Sequence, residues 1–392
     1  MLRISYKLFS RLLYHRLKHI LDTEQSADQV GLRAHRSVDD AFIVFETMCG
    51  KCLEWNTPLW CLSLDLSKAF DRIELEPLLD ALRNQGVSDA YLAMLSVIYA
   101  HQNGRIRGSR RFDIQRGVKQ GDVLSPLLFN AGVEAALRKW KIRVVGKGIY
   151  VDDGEALTNI RYADDIMLFA TSPEDLLFMI TALKEELARI GLSLNASKTK
   201  VLTTLDDIDF QSMVIDGEPV DILSGNTAHK YLGRKLCGSL RSRNIFELAH
   251  RVQIAWMRFH KNRDILMDKH LSIYSRLKFF QAVITPTILF GLTSCALTAQ
   301  QLESLDVLQR KMLRSIVGWV RIPTEDWSDT MRRMREKVNA ALQIYPMQPW
   351  SSEYLRRQFR MVCRFAKRPD EWDEISNNCL STPMYKHLGG SG

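Results

Sequence analysis

Tyr162-Ala163-Asp164-Asp165 is followed at once by Ile166-Met167-Leu168-Phe169-Ala170. Adjacent acids, preceded by an aromatic and followed by a strand-like apolar run, predict a hairpin that carries its charges at the tip. With a third carboxylate from elsewhere, such a pair can hold two divalent ions about 3.5–4 Å apart, the arrangement used for in-line attack on phosphorus. A near twin, Tyr150-Val151-Asp152-Asp153, runs instead into Gly154 and a polar stretch. Asp-Gly between two extended runs signals a turn, so that pair is expected in a solvated loop.

The third acid is expected at Asp65. Leu59-Trp60-Cys61-Leu62-Ser63-Leu64-Asp65 is an apolar run ending on a carboxylate, which reads as a buried central strand delivering Asp65 at its end. Standing alone, Asp65 would read as a cap for the helix that follows. Phe70, five residues on, is close enough to wall the pocket the acid helps build. Upstream, Gln29-Val30-Gly31-Leu32-Arg33-Ala34-His35-Arg36-Ser37 places Arg33 and Arg36 in a loop before a helix starting near Ser37. Ser37 and Asp40 form a capping-box pattern, so this loop either serves the helix start or grips a triphosphate.

Gln115 to Asn130 contains Gly117, Gln120 and Gly121 and then Ser125-Pro126. Glycines here permit close backbone approach and the Ser-Pro step starts a helix, a turn able to support a base pair or a phosphate. Lys198, in Asn195-Ala196-Ser197-Lys198, either protonates a leaving pyrophosphate or lies in a solvated basic loop. His229-Lys230-Tyr231-Leu232-Gly233 reads as a tight hairpin. Amphipathic helices are expected over 6–21, 76–100 and 174–190. In a further helix, Ile245, Leu248, Val252, Trp256 and Phe259 mark one face, and Arg251, Arg258 and Lys261 another.

The chain has 392 residues, 46% of them hydrophobic and 25% charged, enough for two or three globular domains. Its net charge of +9 favours a polyanionic partner, although a basic balance also fits a membrane surface or an acidic protein. Residues 234–320 hold fourteen Lys/Arg against five Asp/Glu, a net of +9 in that region alone, which suits a phosphate-backbone track. Seven scattered cysteines and no secretory signal point to reduced thiols in an intracellular, nuclear or cytoplasmic setting. Cys49 and Cys52 form a lone CxxC without a second ligand pair at zinc-finger spacing. The uncharged stretch 279–302 is broken by Pro286, Gly291 and hydroxyl residues and reads as a buried helix pair, not a membrane span.

Taken in order, QVGLRAHRS, SLDLSKAFDRI, RGVKQGDVLSPLLFN, RYADDIMLFA, GLSLNASKTKVL and HKYLG resemble the reverse transcriptases of non-LTR (LINE-like) retrotransposons over residues 6–320. The resemblance implies an α+β right-hand polymerase: a palm with an antiparallel sheet backed by helices, partial fingers and a helical thumb. It implies fingers in 1–60, palm in 61–225 with a finger insertion at 74–115, primer grip and thumb in 226–320, and a C-terminal extension of unassigned role in 321–392. Asp65 and Asp164, assisted by Asp165, would bind two Mg²⁺ ions, or Mn²⁺ in their place. Arg33 and Arg36 would hold the triphosphate, and Phe70 would exclude a ribose 2′-hydroxyl. Gln120, Gly121 and Tyr162 would line the templating pair, Lys198 would be the general acid, and Tyr231-Leu232-Gly233 would grip the primer. RNA template, DNA primer and dNTPs are the implied partners. The chain opens partway through the first shared block, which reads as a truncated copy. A binding remnant unable to polymerise is therefore the alternative.

Overall fold

The structure, a computed structural model, describes residues 3–100, 102–105, 110–150, 156–206, 212–215, 217–239 and 242–366. Asp152-Asp153, the tip of the basic 104–112 hairpin, Trp372 and Cys379 lie outside the described residues. The chain divides into two compact units after Leu232, a little past the expected border at 226.

Strands are β1 (Trp60–Leu64), β2 (Asn103–Arg105), β3 (Arg111–Asp113), β4 (Asn159–Tyr162), β5 (Asp165–Ala170), β6 (Lys200–Thr203), β7 (Ser212–Ile215), β8 (Glu218–Leu223), β9 (His229–Tyr231) and β10 (Arg234–Leu236). Helices of the first unit are α1 (Ile4–Thr23), α2 (Val38–Glu54), α3 (Ala69–Arg72), α4 (Leu75–Asn84), α5 (Asp89–Ala100), α6 (Ser125–Arg143) and α7 (Pro173–Ala188). Six strands form one sheet in the order β4-β5-β1-β6-β8-β7. Its pairs are antiparallel except β6 with β8, which run parallel. The sheet is therefore mixed where an antiparallel one was expected, because the β7–β8 hairpin docks with its second strand inward.

β1 is buried along its whole length. Trp60, Leu62 and Leu64 join the core built with α6 and α7, while Cys61 lies with the buried Cys49 and Cys52 of α2. Cover on both faces is why this strand reads as a continuous apolar run. The described cysteines are free thiols, and burial pushes Cys52 up to about 11. α1 buries Ser10, Leu13, Leu17 and Leu21 and leaves Leu8 and Leu12 exposed. The helix expected over 76–100 is two, α4 and α5, broken where Gly86 turns left-handed at φ 85°.

The acidic hairpin is closed by only two residues, since Tyr162 pairs with Asp165. Such loops need left-handed backbone, usually supplied by glycine; here Ala163 adopts φ 59°. The segment before Arg33 holds it there. Val30 N donates to Arg161 O at 2.9 Å, and Arg161 N donates to Asp28 O at 2.8 Å. Gln29 Oε1 accepts from Gly31 N at 2.8 Å and from Ala163 N at 3.2 Å. Beneath the turn, the fully buried Arg161 guanidinium meets Glu134 at 2.8 Å and Asp28 at 3.7 Å. Lys141 reaches Asp28 at 2.9 Å. Burial alone would raise the Asp28 carboxyl, but Arg161 and Lys141 overrule it and hold it at about 2.

The second unit comprises β10 and α8 (Arg243–Lys261), α9 (Arg263–Leu266), α10 (Ile273–Leu289), α11 (Ala299–Ile316), α12 (Trp327–Ile344) and α13 (Trp350–Ala366). Phe280, Ile284, Met312, Val338, Trp350 and Tyr354 share its core. Trp350 is fully buried, stacks on Phe280 at 5.9 Å and donates Nε1–H to Thr285 Oγ1 at 3.0 Å. Helices α12 and α13, expected as a separate extension, are thus part of this core. The stretch 279–302 is the end of α10, a connection and the start of α11, and no described helix is long and apolar enough to cross a membrane. On α8 the expected faces are partly inverted. Ile245 is 61% exposed, whereas Arg243, Glu247 and Arg251 are buried in line with Ala255 and Phe259. Arg251 pairs with Glu247 at 2.5 Å and donates to the Gly233 carbonyl, so it is not on the outer basic face.

A Cβ on Gly31 would stand 2.4 Å from Ala163 N and 2.6 Å from Tyr162 C, both backbone atoms. Gly31→Ala is therefore expected to lower the unfolding free energy by about 1–3 kcal/mol. Gly50, inside α2 with nothing within 4 Å of its Cβ position, is the control; Gly50→Ala should raise it by about 0.5–1 kcal/mol. Urea denaturation checks both, and effects of the same sign would refute this account of the hairpin support.

Candidate active site

The last β1–β5 pair is Leu64 with Ile166, and the next residues in that register are Asp65 and Asp165. Asp164 occupies the turn, so three carboxylates gather at one end of the sheet. Burial raises the Asp165 carboxyl first, then the charges of Asp164 and Asp65, taking it to about 6. Asp164 is raised chiefly by burial, with Asp65 adding to the effect and its own backbone and Lys198 opposing it.

Asp65 is held by the segment after α7. Lys198 Nζ lies 3.1 Å from Asp65 Oδ2, and Asn195 Nδ2 donates to the same oxygen at 3.3 Å. Asn195 N donates to Asp65 O at 2.9 Å and Ser67 N to Ser193 O at 2.9 Å, so the two chains run side by side here. Asn195 was not singled out in the sequence. Its only signal was an Asn ending a short extended run, a common turn residue. Lys198 is 65% exposed at its side chain, poised at the edge of the site.

The segments around Phe70 and Gln120 pack against each other. Phe70 stacks on Phe129 at 4.5 Å. Val118 N donates to Phe70 O at 2.7 Å and Gly117 N to Ile73 O at 2.8 Å. A Cβ on Gly117 would meet the Asp71 backbone at 2.7 Å, which is the close approach its glycine permits. Gln120 Nε2 donates to Asp71 Oδ1 at 2.9 Å, and Gly121, at φ 80°, has open space beside it.

Arg33 and Arg36 both line an open concavity of about 560 Å³ with His15, Lys18 and His19. Arg33 is largely committed: it donates to Asp22 Oδ1 at 3.1 Å, Asp22 O at 3.0 Å, Ser26 O at 2.9 Å and Gln29 O at 3.2 Å. The capping box of Ser37 and Asp40 is formed. Tyr162 is half-buried beside the turn. Tyr231 is buried, its hydroxyl has no hydrogen bond among the described residues, and burial together with the charge of Asp165 raises that hydroxyl well above its usual range. Leu232 and Gly233 follow it as two left-handed residues, at φ 47° and 83°.

Three carboxylates form a hard-oxygen donor set suited to Mg²⁺ or Mn²⁺. Among the described residues no three Asp, Glu, His or Cys side chains stand close enough to hold an ion as placed. The repulsion that raises Asp164 and Asp165 is what a cation relieves. The residues fit the ion in chemistry, with side-chain rotation needed to close a ligand shell.

The family profile described as reverse transcriptase (RNA-dependent DNA polymerase) matches residues 1–236. A retrovirus-related Pol polyprotein from type-2 retrotransposable element R2DM of Drosophila melanogaster is 31% identical over 183 residues, 44% of this chain and 17% of that protein. The Pol polyprotein from a type-1 retrotransposable element R2 of Popillia japonica is 24% identical over 266 residues, 65% of this chain and 42% of that protein. The chain thus spans less than half the length of these relatives. Apo telomerase from Candida tropicalis is similar with a TM-score of 0.45 and 11% identity, over 95% of this chain and 61% of that one. Since the family match takes in Asp65, the acidic hairpin and Lys198 together, the chain belongs to the reverse transcriptase (RNA-dependent DNA polymerase) family and has R2 non-LTR retrotransposon polyproteins among its relatives.

Proposed function

We propose that this chain catalyses RNA-templated DNA synthesis, in which a primer 3′-hydroxyl attacks the α-phosphate of a dNTP with in-line loss of pyrophosphate. The observation that carries this reading is the register bringing Asp65 and Asp165 to one strand end, beside Asp164 in the turn. Asp65 and Asp164, with Asp165 assisting, are the ligands for two Mg²⁺ ions, which when bound supply charge to activate the hydroxyl and stabilise the leaving group. Lys198 Nζ, now on Asp65, holds a proton for the departing pyrophosphate oxygen once that carboxylate has another partner.

Phe70, braced by Phe129 and by the backbone at 117–118, is the wall against a ribose 2′-hydroxyl. Gln120 and Gly121 support the templating pair beside Tyr162, and Tyr231-Leu232-Gly233 grips the primer. Arg33 and Arg36 are the triphosphate contacts, although four hydrogen bonds already tie Arg33 to the end of α1 and to its own loop. In domain terms, residues 1–60 supply fingers, 61–225 the palm with its insertion at 74–115, and the second unit the thumb. The commitment of Arg33 favours one alternative, a polymerase fold that binds nucleic acid without extending a primer.

Primer extension on an RNA template with Mg²⁺ separates the two readings. The expected result is dNTP incorporation, lowered about 100-fold or more by Asp164→Asn; undiminished activity in that variant removes the site assignment, and salt-sensitive binding with no incorporation selects the alternative. In the same assay, Phe70→Val should raise rNTP use relative to dNTP use by about 10-fold.

Stability gives a second test. The folded state raises Asp165 from 3.8 to about 6, so its ionisation opposes folding. That penalty is fully present above pH 6 and disappears below pH 3.8. Metal-free Asp165→Asn should therefore exceed the wild type by about 1–3 kcal/mol in urea denaturation at high pH, and the gap should close in acid. A pH-independent difference would show that charge is not its cause.

A further inference from the structure

An open concavity of about 590 Å³ in the second unit is lined by residues of α11 and α12, with Met347 and Pro349 from the segment that follows. Arg310 and Arg314 enter it from α11 and Arg335 from α12. Arg310 and Arg335 are exposed, while the lining Leu313 and Val338 are buried in the core. The site therefore has a cationic rim and an apolar floor. Among the described residues, none of the three guanidiniums has an ion pair or hydrogen bond. The one acid in the lining, Asp306, accepts from Ser351 N at 2.9 Å and Ser351 Oγ at 2.6 Å at the start of α13.

Like charges four residues apart on a helix repel. Arg310 and Arg314 are such a pair, and Arg314 is lowered by burial and then by the charge of Arg310. Three unpaired guanidinium forks around one hollow suit the oxygens of a phosphate. A bare phosphate would leave the floor of Leu313, Val338 and Leu342 uncovered, whereas an unstacked base fills it and can meet the sulfurs of Met331 and Met347. The volume is in the range of nucleotide-sized sites. Duplex presents its phosphates with the bases stacked inside, so a concave site with an apolar floor calls for a splayed single strand.

We propose that this hollow binds a nucleotide of single-stranded RNA, with phosphates on Arg310, Arg314 and Arg335 and the base against Leu313, Val338 and Leu342. The choice of a strand rests on the proposed function; the phosphate-and-base chemistry does not. The site is separate in sequence from every residue assigned to the polymerase reaction.

The test uses the full chain and a fluorescent oligouridylate, with binding followed by anisotropy over a series of KCl concentrations. Changing the three arginines together to glutamine should weaken binding about 10-fold or more at low salt and reduce the log K against log salt slope by about 2. The triple lysine variant should keep the slope while losing part of the affinity, because charge survives and the fork does not. With 4-thiouridine in the strand, photo-crosslinks to the wild type should map to peptides containing Met331 or Met347, a readout that needs no variant to fold. Primer extension is read separately on the same wild-type preparation: crosslinks to these peptides without dNTP incorporation support this site while refuting the polymerase reading, so the two failures are told apart. Unchanged affinity and slope in a folded glutamine variant, or crosslinks confined to other peptides, overturn the proposal. Displacement of the strand by equimolar free nucleoside triphosphate overturns the strand assignment and gives the site to a mononucleotide.

Discussion

A guanidinium removed from water sits one residue before the acidic hairpin, and much of the first unit is arranged around it. Arg161 meets Glu134 from α6 and Asp28 from the segment that pairs alongside β4. Burying such charges costs several kcal/mol per ion before their attraction is counted, so the cluster is poor evidence for stability as such. What it does is tie three distant parts of the chain to one point. The 28–31 segment and α6 both reach Arg161 on β4, and their contacts help fix where Ala163 and Asp164 turn. The hairpin then needs no glycine of its own, because Gln29 and the bare Cα of Gly31 hold Ala163 in its left-handed state.

The carboxylate end of the sheet shows the opposite economy. Asp164 and Asp165 are crowded and partly withdrawn from water, and both resist ionisation. Lys198 offsets some of this by bridging to Asp65, while Asn195 keeps Asp65 aimed. A site whose own charges are under-compensated is poised to take up cations, and the fold bears that cost because the Arg161 cluster and the doubly covered β1 hold the strand ends in place.

The parts of the fold that were legible in the sequence were those governed by local pattern. β1 announced itself as an apolar run ending in Asp65, and the hairpin as paired acids between strand residues, since burial on both faces leaves no other composition for a central strand. What escaped depended on burial and on contacts that hydrophobic patterning does not report. The hydrogen bonds of Arg33 to Asp22 were not foreseen, because no sequence rule pairs the two. Arg251 looked solvated because charge periodicity cannot foresee that Glu247 is buried beside it. The parallel pairing of β6 and β8 follows from how a hairpin docks, which its own residues do not specify. Residues 327–366 carried no chemical motif, so the packing of α12 and α13 into the core of the second unit had no local signal.

The family signature stops at residue 236, yet the core of the second unit closes only when Trp350 lies on Phe280 and Tyr354 reaches the Cys295 carbonyl. A chain ending near residue 320 would keep every polymerase motif and still present the uncovered side of Phe280 to water, a surface that invites aggregation and proteolysis. Sequence lesions downstream of the motifs therefore act on how much intact protein a cell holds, long before they could act on the chemistry.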